Sequence, residues 1–427
     1  MEGHMGNVRE VAACEVCGSG ELASVLNLGP HPMCDDLVRL GESRRCREYP
    51  IEILFCGNCI TAHQRFQVPK GDLFPTSYHY RARFTGDVLN GMAGLVESCA
   101  VRFGPLRGKK ILDIGCNDGS LLDFFGQHGA ETMGIEPTDA CLDAQQKGHS
   151  VLKEYFSEAA TDAVLALKGR PDFITFTNVF AHIEDLGAVL SALKRLIAAH
   201  TIVVIENHYL GAVLEGNQFD TFYHEHPRSY SYSSFVHIAN GLGVGILDAE
   251  FPARYGGNIR MFLGSSSGIG GGVADDRTQL LRRESRFLDR FVALRNNVER
   301  WRDAKRGALA ARIRQHGRLP AKAFPGRAAI LMKMLDLDER SISAVYEKPG
   351  SLKIGHYVPG TRIPILSDEE LFVCVDKTKP LLNLAWHIPQ EIHGYLESHG
   401  YTGPIIDIIE AGDFEAGHQV AVEHLGC

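Results

Sequence analysis

Residues 109–136, KKILDIGCNDGSLLDFFGQHGAETMGIE, constrain the fold more than any other stretch. Ile111-Leu112-Asp113-Ile114 is a short apolar run bounded by a turn, the pattern of a buried strand. Gly115 to Gly119 make a glycine-containing turn, and Ser120 to Gln127 read as a helix that stops at Gly129. Thr132 to Ile135 read as a second strand with Glu136 at its carboxyl end. This is half of a doubly wound α/β sheet, a fold that binds ligands at the carboxyl ends of its strands.

The turn discriminates among ligands. A dinucleotide site wants G-x-G-x-x-G, so that backbone approaches a pyrophosphate at a helix N-terminus. Here the pattern is Asp113-x-Gly115-x-x-x-Gly119, with Asn117 inside it. It resembles the first motif of class I S-adenosylmethionine methyltransferases, whose loop hosts an amino-acid end that carries no phosphate. Glu136 is then placed to accept hydrogen bonds from both ribose hydroxyls. The same carboxylate is expected in an NAD site, so an NAD enzyme and a non-catalytic sheet are the alternatives.

The chain is long enough for two to three domains, and its 44% hydrophobic and 22% charged content is that of an ordinary globular protein. A net charge of −8 argues against a nucleic-acid binder, which needs a basic face. No apolar run approaches the ~18 residues of a membrane helix, and no secretory leader pattern is visible, so the reading is cytoplasmic with no membrane partner. In a reducing compartment the eleven cysteines suggest metal before disulfides.

Cys14-Glu15-Val16-Cys17 and Cys56-Gly57-Asn58-Cys59 are two C-x-x-C knuckles that can supply four thiolates to one structural zinc with no open position. The stretch between them exceeds the usual spacing, so an inserted segment must hang there. Cys34, Cys46, His31 and His63 are spare ligands, and the plainer alternative is free thiols. Tyr78 to Phe84 reads as an exposed strand or a lid, with Tyr78 and Tyr80 as substrate candidates, and Phe84 to Arg102 as an amphipathic helix.

After Glu136 helices and strands alternate to about residue 265, with strands at Val151-Leu152, 172–176 and 201–206. Asn117, Glu136, Asn178, His182 and Glu206 all fall at carboxyl ends of strands, converging on one cleft. Residues 215–232, EGNQFDTFYHEHPRSYSY, concentrate the chemistry. Histidine exchanges protons near neutral pH, tyrosine polarises a carbonyl, and glutamate orients either. If the segment is extended, Glu225 points away from His224 and His226. A surface loop of hydrogen-bonded histidines is the alternative.

Gly256-Gly257 reads as a turn that lets backbone approach a ligand or another segment, and residues 264–272 as a linker. Asp275 to Gln315 reads as one long helix joining two domains, with Phe287, Phe291, Leu294, Val298 and Trp301 as its apolar stripe and its arginines as a solvated face. A second α/β pattern follows from about 320, with strands expected at 342–346, 372–375 and 381–384. His356 and Arg362 stand in a glycine- and proline-bounded loop, available for an anion.

Taken together, the two knuckles, DIGCNDGSLL, GIEPT, NVFAHIEDL, EGNQFDTFYHEH, YGGNIR, YVPGTRIPI and LLNLAWHIPQEI resemble the sugar C-methyltransferases that act on nucleotide-linked keto-deoxysugars. The resemblance runs in family order over nearly the whole chain. It implies a zinc-binding module (12–75), a class I methyltransferase domain with a doubly wound sheet (76–270), a connecting helix (271–316) and a C-terminal Rossmann-like α/β domain (317–420). It implies cofactor contacts at Gly115, Asn117, Glu136 and Asn178, with Asp113, Phe180 and His182 completing the candidate set. It implies Tyr223, Glu225 and His226 as the active trio, His226 being the base. Asn217, His224, Lys322, His356 and Arg362 join Tyr78 and Tyr80 as substrate candidates. One departure concerns the family's alanine-lysine-glycine loop: Pro320-Ala321-Lys322-Ala323 keeps the lysine and lacks the adjacent glycine. The expected partner is a nucleotide-linked sugar, with the chain a monomer or homodimer. The rival activities are O-methylation of a sugar or cyclitol hydroxyl, and a silent cofactor-fold binding protein.

Overall fold

The computed structural model describes residues 8–73, 81–265 and 274–415. Strands β1 (Ala23–Pro32), β2 (Glu48–Cys56) and β3 (Thr61–Gln64) form an antiparallel sheet beside the first knuckle. The long stretch between the knuckles is therefore a strand pair rather than a loose loop: Cys56 ends β2, and Cys59 sits in the turn into β3.

The chain then builds α1 (Gly86–Phe103), β4 (Lys110–Ile114), α2 (Ser120–Gln127), β5 (Glu131–Ile135), α3 (Ala140–Gln146) and β6 (Ser150–Leu152). It continues through α4 (Glu158–Lys168), β7 (Phe173–Thr177), α5 (Leu186–Leu196), β8 (Ile202–His208) and α6 (Leu210–Glu215). After β9 (Arg228–Ser229) come α7 (Tyr232–Leu242), β10 (Gly245–Glu250) and β11 (Asn258–Gly264). The large sheet has the order β10-β11-β8-β7-β4-β5-β6. Five strands are parallel, and β11 enters antiparallel between β8 and β10, the class I methyltransferase arrangement. Side chains alternate across the pleat. Ile111, Phe173, Val204 and Phe262 pack under Leu95, Leu121 and Phe125, while Ile114, Ile135, Ile174 and Phe176 pack against Val164 and Leu193. The chain order reverses between β4 and β7, which opens the cleft at their carboxyl ends.

Strand β9 does not join that sheet. Arg228 and Ser229 pair with His63 and Ala62 of β3, so the segment after His226 becomes the fourth strand of the cysteine-rich module. Gln64 N–H extends the ladder to Pro227 O (2.8 Å). Arg228 is buried, forms an ion pair with Glu15 and donates to the Tyr230 hydroxyl (3.0 Å).

The helix expected over 275–315 is two helices, α8 (Ala274–Glu284) and α9 (Phe287–His316). The break has a cause in Glu284. Its buried carboxylate accepts from Tyr209 OH (2.9 Å), Tyr232 N (2.8 Å) and Ser233 N (2.8 Å), capping the start of α7. The apolar stripe of α9 is buried as its spacing predicts. Beyond it, β12 (Leu319–Lys322), α10 (Ala328–Met334), β13 (Ile342–Glu347), β14 (Ile365–Ser367), α11 (Asp368–Cys374), β15 (Leu381–Asn383), α12 (Pro389–Ser398) and β16 (Ile405–Asp407) follow. They form a parallel sheet ordered β14-β13-β12-β15-β16.

The strand expected at 372–375 is instead the end of α11. Ser367 caps that helix at Glu369 N (3.3 Å), and Asp368, Glu369 and Glu370 complement its dipole, which outweighs the strand preference of Phe372 and Val373. The 264–272 linker falls almost wholly outside the described residues. Among the described residues no helix is long and apolar enough to cross a membrane.

Trp301 anchors α9, with its side chain buried and its indole N–H on Ile408 O (3.1 Å). Trp301→Ala should lower the unfolding free energy by about 3–5 kcal/mol, read as a shift in the denaturant midpoint.

Candidate active site

The turn after β4 is built by close packing. Gly115 has φ 73, and an added Cβ would stand 2.5 Å from a Val179 methyl, so only glycine fits. Asn117 has φ 50 and donates its N–H to Glu136 Oε2 (3.0 Å). The other Glu136 oxygen accepts from Thr138 N (2.9 Å) and Oγ (2.6 Å). A carboxylate has about four acceptor sites and these bonds take three, so Glu136 keeps room for about one more donor. Asp113 accepts from Thr175 Oγ (2.6 Å), and burial pushes its carboxyl up to about 7. Asn178 ends β7 at φ 53, its N–H on Glu206 O (2.8 Å). The Phe180 ring lies in the core against Phe176 and Tyr230. The turn and the Glu136 carboxylate stand together at the carboxyl ends of β4 and β5, where sheets of this kind bind a ligand, and their donor and acceptor groups are compatible with S-adenosylmethionine.

Of the Tyr78–Phe84 segment, residues 74–80 fall outside the description, Tyr78 and Tyr80 with them. Residues 82–84 are a short helical turn, not a strand, docked on the cofactor loop through Ala82 N to Asn117 Oδ1 and Arg83 N to Asp118 Oδ2 (both 3.0 Å). The paired glycines approach another chain segment, since a Cβ on Gly257 would strike Ala212 of α6.

The Tyr223–His226 segment is a tight turn, closed by His226 N–H to Tyr223 O (2.9 Å), so the alternation expected of an extended segment does not hold. Closing the turn lays the Tyr223 ring 4.2 Å from that of His226. His182, from the turn after β7, and His208, at the end of β8, come within 4.8 and 5.4 Å of the same imidazole. A carbonyl only accepts, so the contact of His226 Nδ1 with Thr221 O (3.0 Å) puts the proton on Nδ1 and the lone pair on Nε2. Burial holds His226 well below the usual imidazole range, with His182 and His208 adding to the effect. Burial raises Tyr223 well above its ordinary value, and Glu225 adds to that. Glu225 is raised well above the carboxylate range by burial and then by Asp35. The His224 ring turns the other way, onto Tyr49 O (3.0 Å).

Charges ring this turn. Buried Asp220 accepts from Trp386 Nε1 (2.9 Å) and pairs with Arg327 (3.3 Å), which also reaches Thr221 Oγ (3.3 Å). Buried Glu206 pairs with Arg260 (2.6 Å) and Arg254 (3.2 Å), and accepts from Asn258 (3.0 Å). The sequence motifs point to Glu206 but not to His208 two residues on, nor to Arg327 just beyond the altered loop.

Several substrate candidates have partners elsewhere in the chain. Lys322 is buried with both oxygens of Asp368 at 2.8 Å. Arg362 donates to the carbonyls of Glu42, Ser43 and Arg44 at 2.7–2.9 Å, clasping the cysteine-rich module. His356 contacts Lys353 O (3.3 Å), and Asn217 accepts from Asn297 (2.7 Å). The backbone at Ala323 is left-handed (φ 61), so this loop keeps the shape that suits the missing glycine.

The ligand sulfurs of Cys14, Cys17, Cys56 and Cys59 lie within 4.8 Å of one another. Cys14–Cys59 and Cys17–Cys56 are 3.4 and 3.6 Å apart, near the roughly 3.8 Å edge of a tetrahedron with Zn–S of about 2.3 Å. The Cys14 thiol is lowered to about 3 by its hydrogen bond with Cys59, against the cost of burial, and by His63, which suits a thiolate ligand.

A family model for a "Putative zinc binding domain" matches residues 14–74, one for a methyltransferase domain matches 87–248, and one for a C-methyltransferase C-terminal domain matches 253–404. The C-methyltransferase NovU of Streptomyces niveus is 27% identical over 397 residues, covering 90% of this chain and 92% of that protein. The ubiquinone biosynthesis O-methyltransferase of Thiobacillus denitrificans is 34% identical over 98 residues, 22% of this chain and 41% of its own length. Magnesium protoporphyrin IX methyltransferase from Synechocystis PCC 6803, solved with bound SAH, is 18% identical, covers 42% of this chain and 84% of its own, and superposes with a TM-score of 0.33.

Burial lowers His31, His182 and His224 to about 4 and His208 to about 3. These rings stay neutral in the fold, whereas the unfolded chain protonates them near 6.5. Their stabilisation is therefore complete above about pH 6.5 and falls as pH drops toward 4, by up to about 1.4 kcal/mol per pH unit for each histidine. Denaturant titrations at pH 7.5, 6, 5 and 4.5 should show this decline; a flat profile would contradict it.

Proposed function

This chain belongs to the family of S-adenosylmethionine-dependent C-methyltransferases, and from that premise we propose that it methylates the carbon beside a keto group of a nucleotide-linked deoxysugar. The observation that carries the reading is His226. It is a buried imidazole with Nδ1–H fixed on Thr221 O and the Nε2 lone pair left to act as a base.

Asp113, Gly115, Asn117, Glu136, Asn178 and His182 would hold the cofactor; the backbone of Phe180 lies in the same turn, while its ring serves the core. Bound S-adenosylmethionine supplies the electrophilic methyl group. His226 removes the acidic proton beside the keto group, and the enolate carbon attacks in line. Tyr223 keeps its proton because its pKa is raised, so its hydroxyl can donate to the developing oxyanion. Burial holds Glu225 well above the usual carboxylate range, which disfavours its negative charge beside the enolate. Arg327 and Trp386 bring a cation and an aromatic face from the C-terminal sheet to the edge of this turn, a chemistry suited to a nucleotide-linked acceptor. The affinity of phosphates for guanidinium supports the same acceptor class.

His226→Asn should cut turnover by about 10²–10⁴ while leaving S-adenosylmethionine affinity nearly unchanged. The assay is incubation with a panel of nucleotide-linked 4-keto sugars followed by mass spectrometry and NMR. A C-methyl product is expected; a methyl ether would favour O-methylation, and near-normal turnover of the variant would reject the base.

We further propose that Cys14, Cys17, Cys56 and Cys59 hold one structural zinc. Because β9 is a strand of the same module, metal removal should loosen the His226 turn as well as the knuckles. Metal analysis should find about one zinc per chain, and chelation should expose the amides of 61–64 and 226–230 to hydrogen exchange together. Purified protein without zinc, or chelation that leaves 226–230 protected, would overturn this.

A further inference from the structure

The break between α8 and α9 leaves a hollow of about 330 Å³ beside α6. Arg282 and Arg283 from the end of α8, and Arg286 and Arg290 from the start of α9, line it together with Glu215 at the end of α6. Leu214 and Phe287 form the apolar part of the wall. None of these residues belongs to the cofactor turn, the His226 turn or the Arg327 segment.

The charge in this hollow is unbalanced. Glu215 accepts from Arg283 Nε (2.9 Å), and that pair uses the one carboxylate among the lining residues. Among the described residues, the guanidinium groups of Arg282, Arg286 and Arg290 have no hydrogen bond or ion pair. Glu284 is turned inward to cap α7, and Asp289 is not part of the wall. Like charges at intervals of four residues repel when nothing lies between them. The chain as a whole carries a net charge of −8, so this concentration of arginine does not follow from composition. A solvated face, the expectation for these arginines, would be convex; here four of them surround a concave space.

We propose that this hollow is a second binding site, for a small anion with two linked phosphoryl groups, as in inorganic pyrophosphate or a nucleoside diphosphate. It is separate from the acceptor site proposed above and does not depend on that reading.

The lining selects this chemistry. A guanidinium presents paired N–H donors in one plane and matches phosphoryl oxygens two at a time. Three unpaired guanidinium groups call for several negative charges on adjacent groups, which a diphosphate supplies and a single carboxylate does not. The volume is that of a small-molecule site, at the lower end of the roughly 300–1,000 Å³ range. The start of α9 lacks a side-chain cap, and its first residue, Phe287, is in the wall, so the positive end of a 30-residue helix adds to the attraction. Glu215 competes with the ligand for Arg283, so the sign of its effect is opposite to that of the arginines.

The test is calorimetric titration of inorganic pyrophosphate into the full-length protein at low ionic strength. One class of sites, one per chain, should appear, with orthophosphate weaker by about tenfold or more. Arg286→Gln and Arg290→Gln, at exposed positions, should each weaken it by about tenfold, and circular dichroism should show both variants folded. Glu215→Gln should tighten it by about threefold by freeing Arg283. Arg327→Gln, at the His226 turn, should leave this class within about twofold. Uridine diphosphate separates the two sources: binding tighter than pyrophosphate and equally sensitive to Arg286→Gln identifies a nucleotide, and weaker binding identifies free diphosphate. A wild type that takes up no pyrophosphate overturns the inference. So does binding that survives the Arg286→Gln/Arg290→Gln double variant, or that Glu215→Gln weakens. Equal uptake of sulfate, orthophosphate and pyrophosphate would mean an adventitious ion only and would overturn it as well.

Discussion

Two residues of strand hold the site in place. Arg228 and Ser229 leave the His226 turn and pair at once with His63 and Ala62 of the cysteine-rich module. Without that pairing the turn would hang from the end of α6 with few ties on its far side. The strand is short, but its side chains reinforce it. Arg228 is fully buried and must keep its Glu15 carboxylate, because an unpaired buried guanidinium costs about 3–5 kcal/mol. Glu15 lies between Cys14 and Cys17, so the same carboxylate ties the first knuckle to this strand.

The opposite side of the turn is tied to the C-terminal sheet. Asp220 binds Arg327 and Trp386, and Arg327 also reaches Thr221, whose carbonyl fixes the His226 tautomer. The turn thus sits between three bodies: the cysteine-rich module, the large sheet and the C-terminal sheet. Its backbone groups are taken up in this arrangement. His226 N–H closes the turn, Pro227 O accepts from Gln64, and Tyr223 O accepts from the Gln64 side chain (3.2 Å). A loop whose polar backbone is satisfied on every side can be buried and still hold one conformation.

Much of this fold was legible in the sequence because its signals are local. The β4–turn–α2–β5 unit shows in a single window, and the five parallel strands follow from repeats of the same pattern. The four cysteines declare themselves by spacing. The misread elements are those settled by contacts or caps outside the window used. Glu284 breaks a strongly helical stretch because it serves the N-terminus of α7. Phe372 and Val373 look like a strand until the acidic cap at Ser367–Glu370 is counted. Tyr223–His226 alternates like a strand, yet the pairing of β9 with a distant module closes it into a turn.

The site shows the same division, and charge explains it. Lys322 and Arg362 read as substrate candidates because a sequence shows charges without their partners. In the fold Asp368 neutralises the first, and main-chain carbonyls of the cysteine-rich module take up the second. The residues gathered around the His226 turn include His208 and Arg327, which carry no motif and come from the end of a strand and the start of a helix in two different units. The consequence is electrostatic. Of the carboxylates near His226, Asp220 is engaged by Arg327 and Glu206 by Arg254 and Arg260, while burial raises Glu225 well above the carboxylate range. Among the described residues no carboxylate is hydrogen-bonded to the His226 ring, whose Nδ1 bond goes to a main-chain carbonyl. Its low pKa makes it a weak base, ill suited to hold a proton taken from carbon. Such a base works only if the site lowers the energy of the enolate more than it raises that of the imidazolium. In the proposed reaction, stabilisation of the oxyanion is therefore the step on which this arrangement depends, and the donors and cations gathered around one turn are what the fold would supply for it.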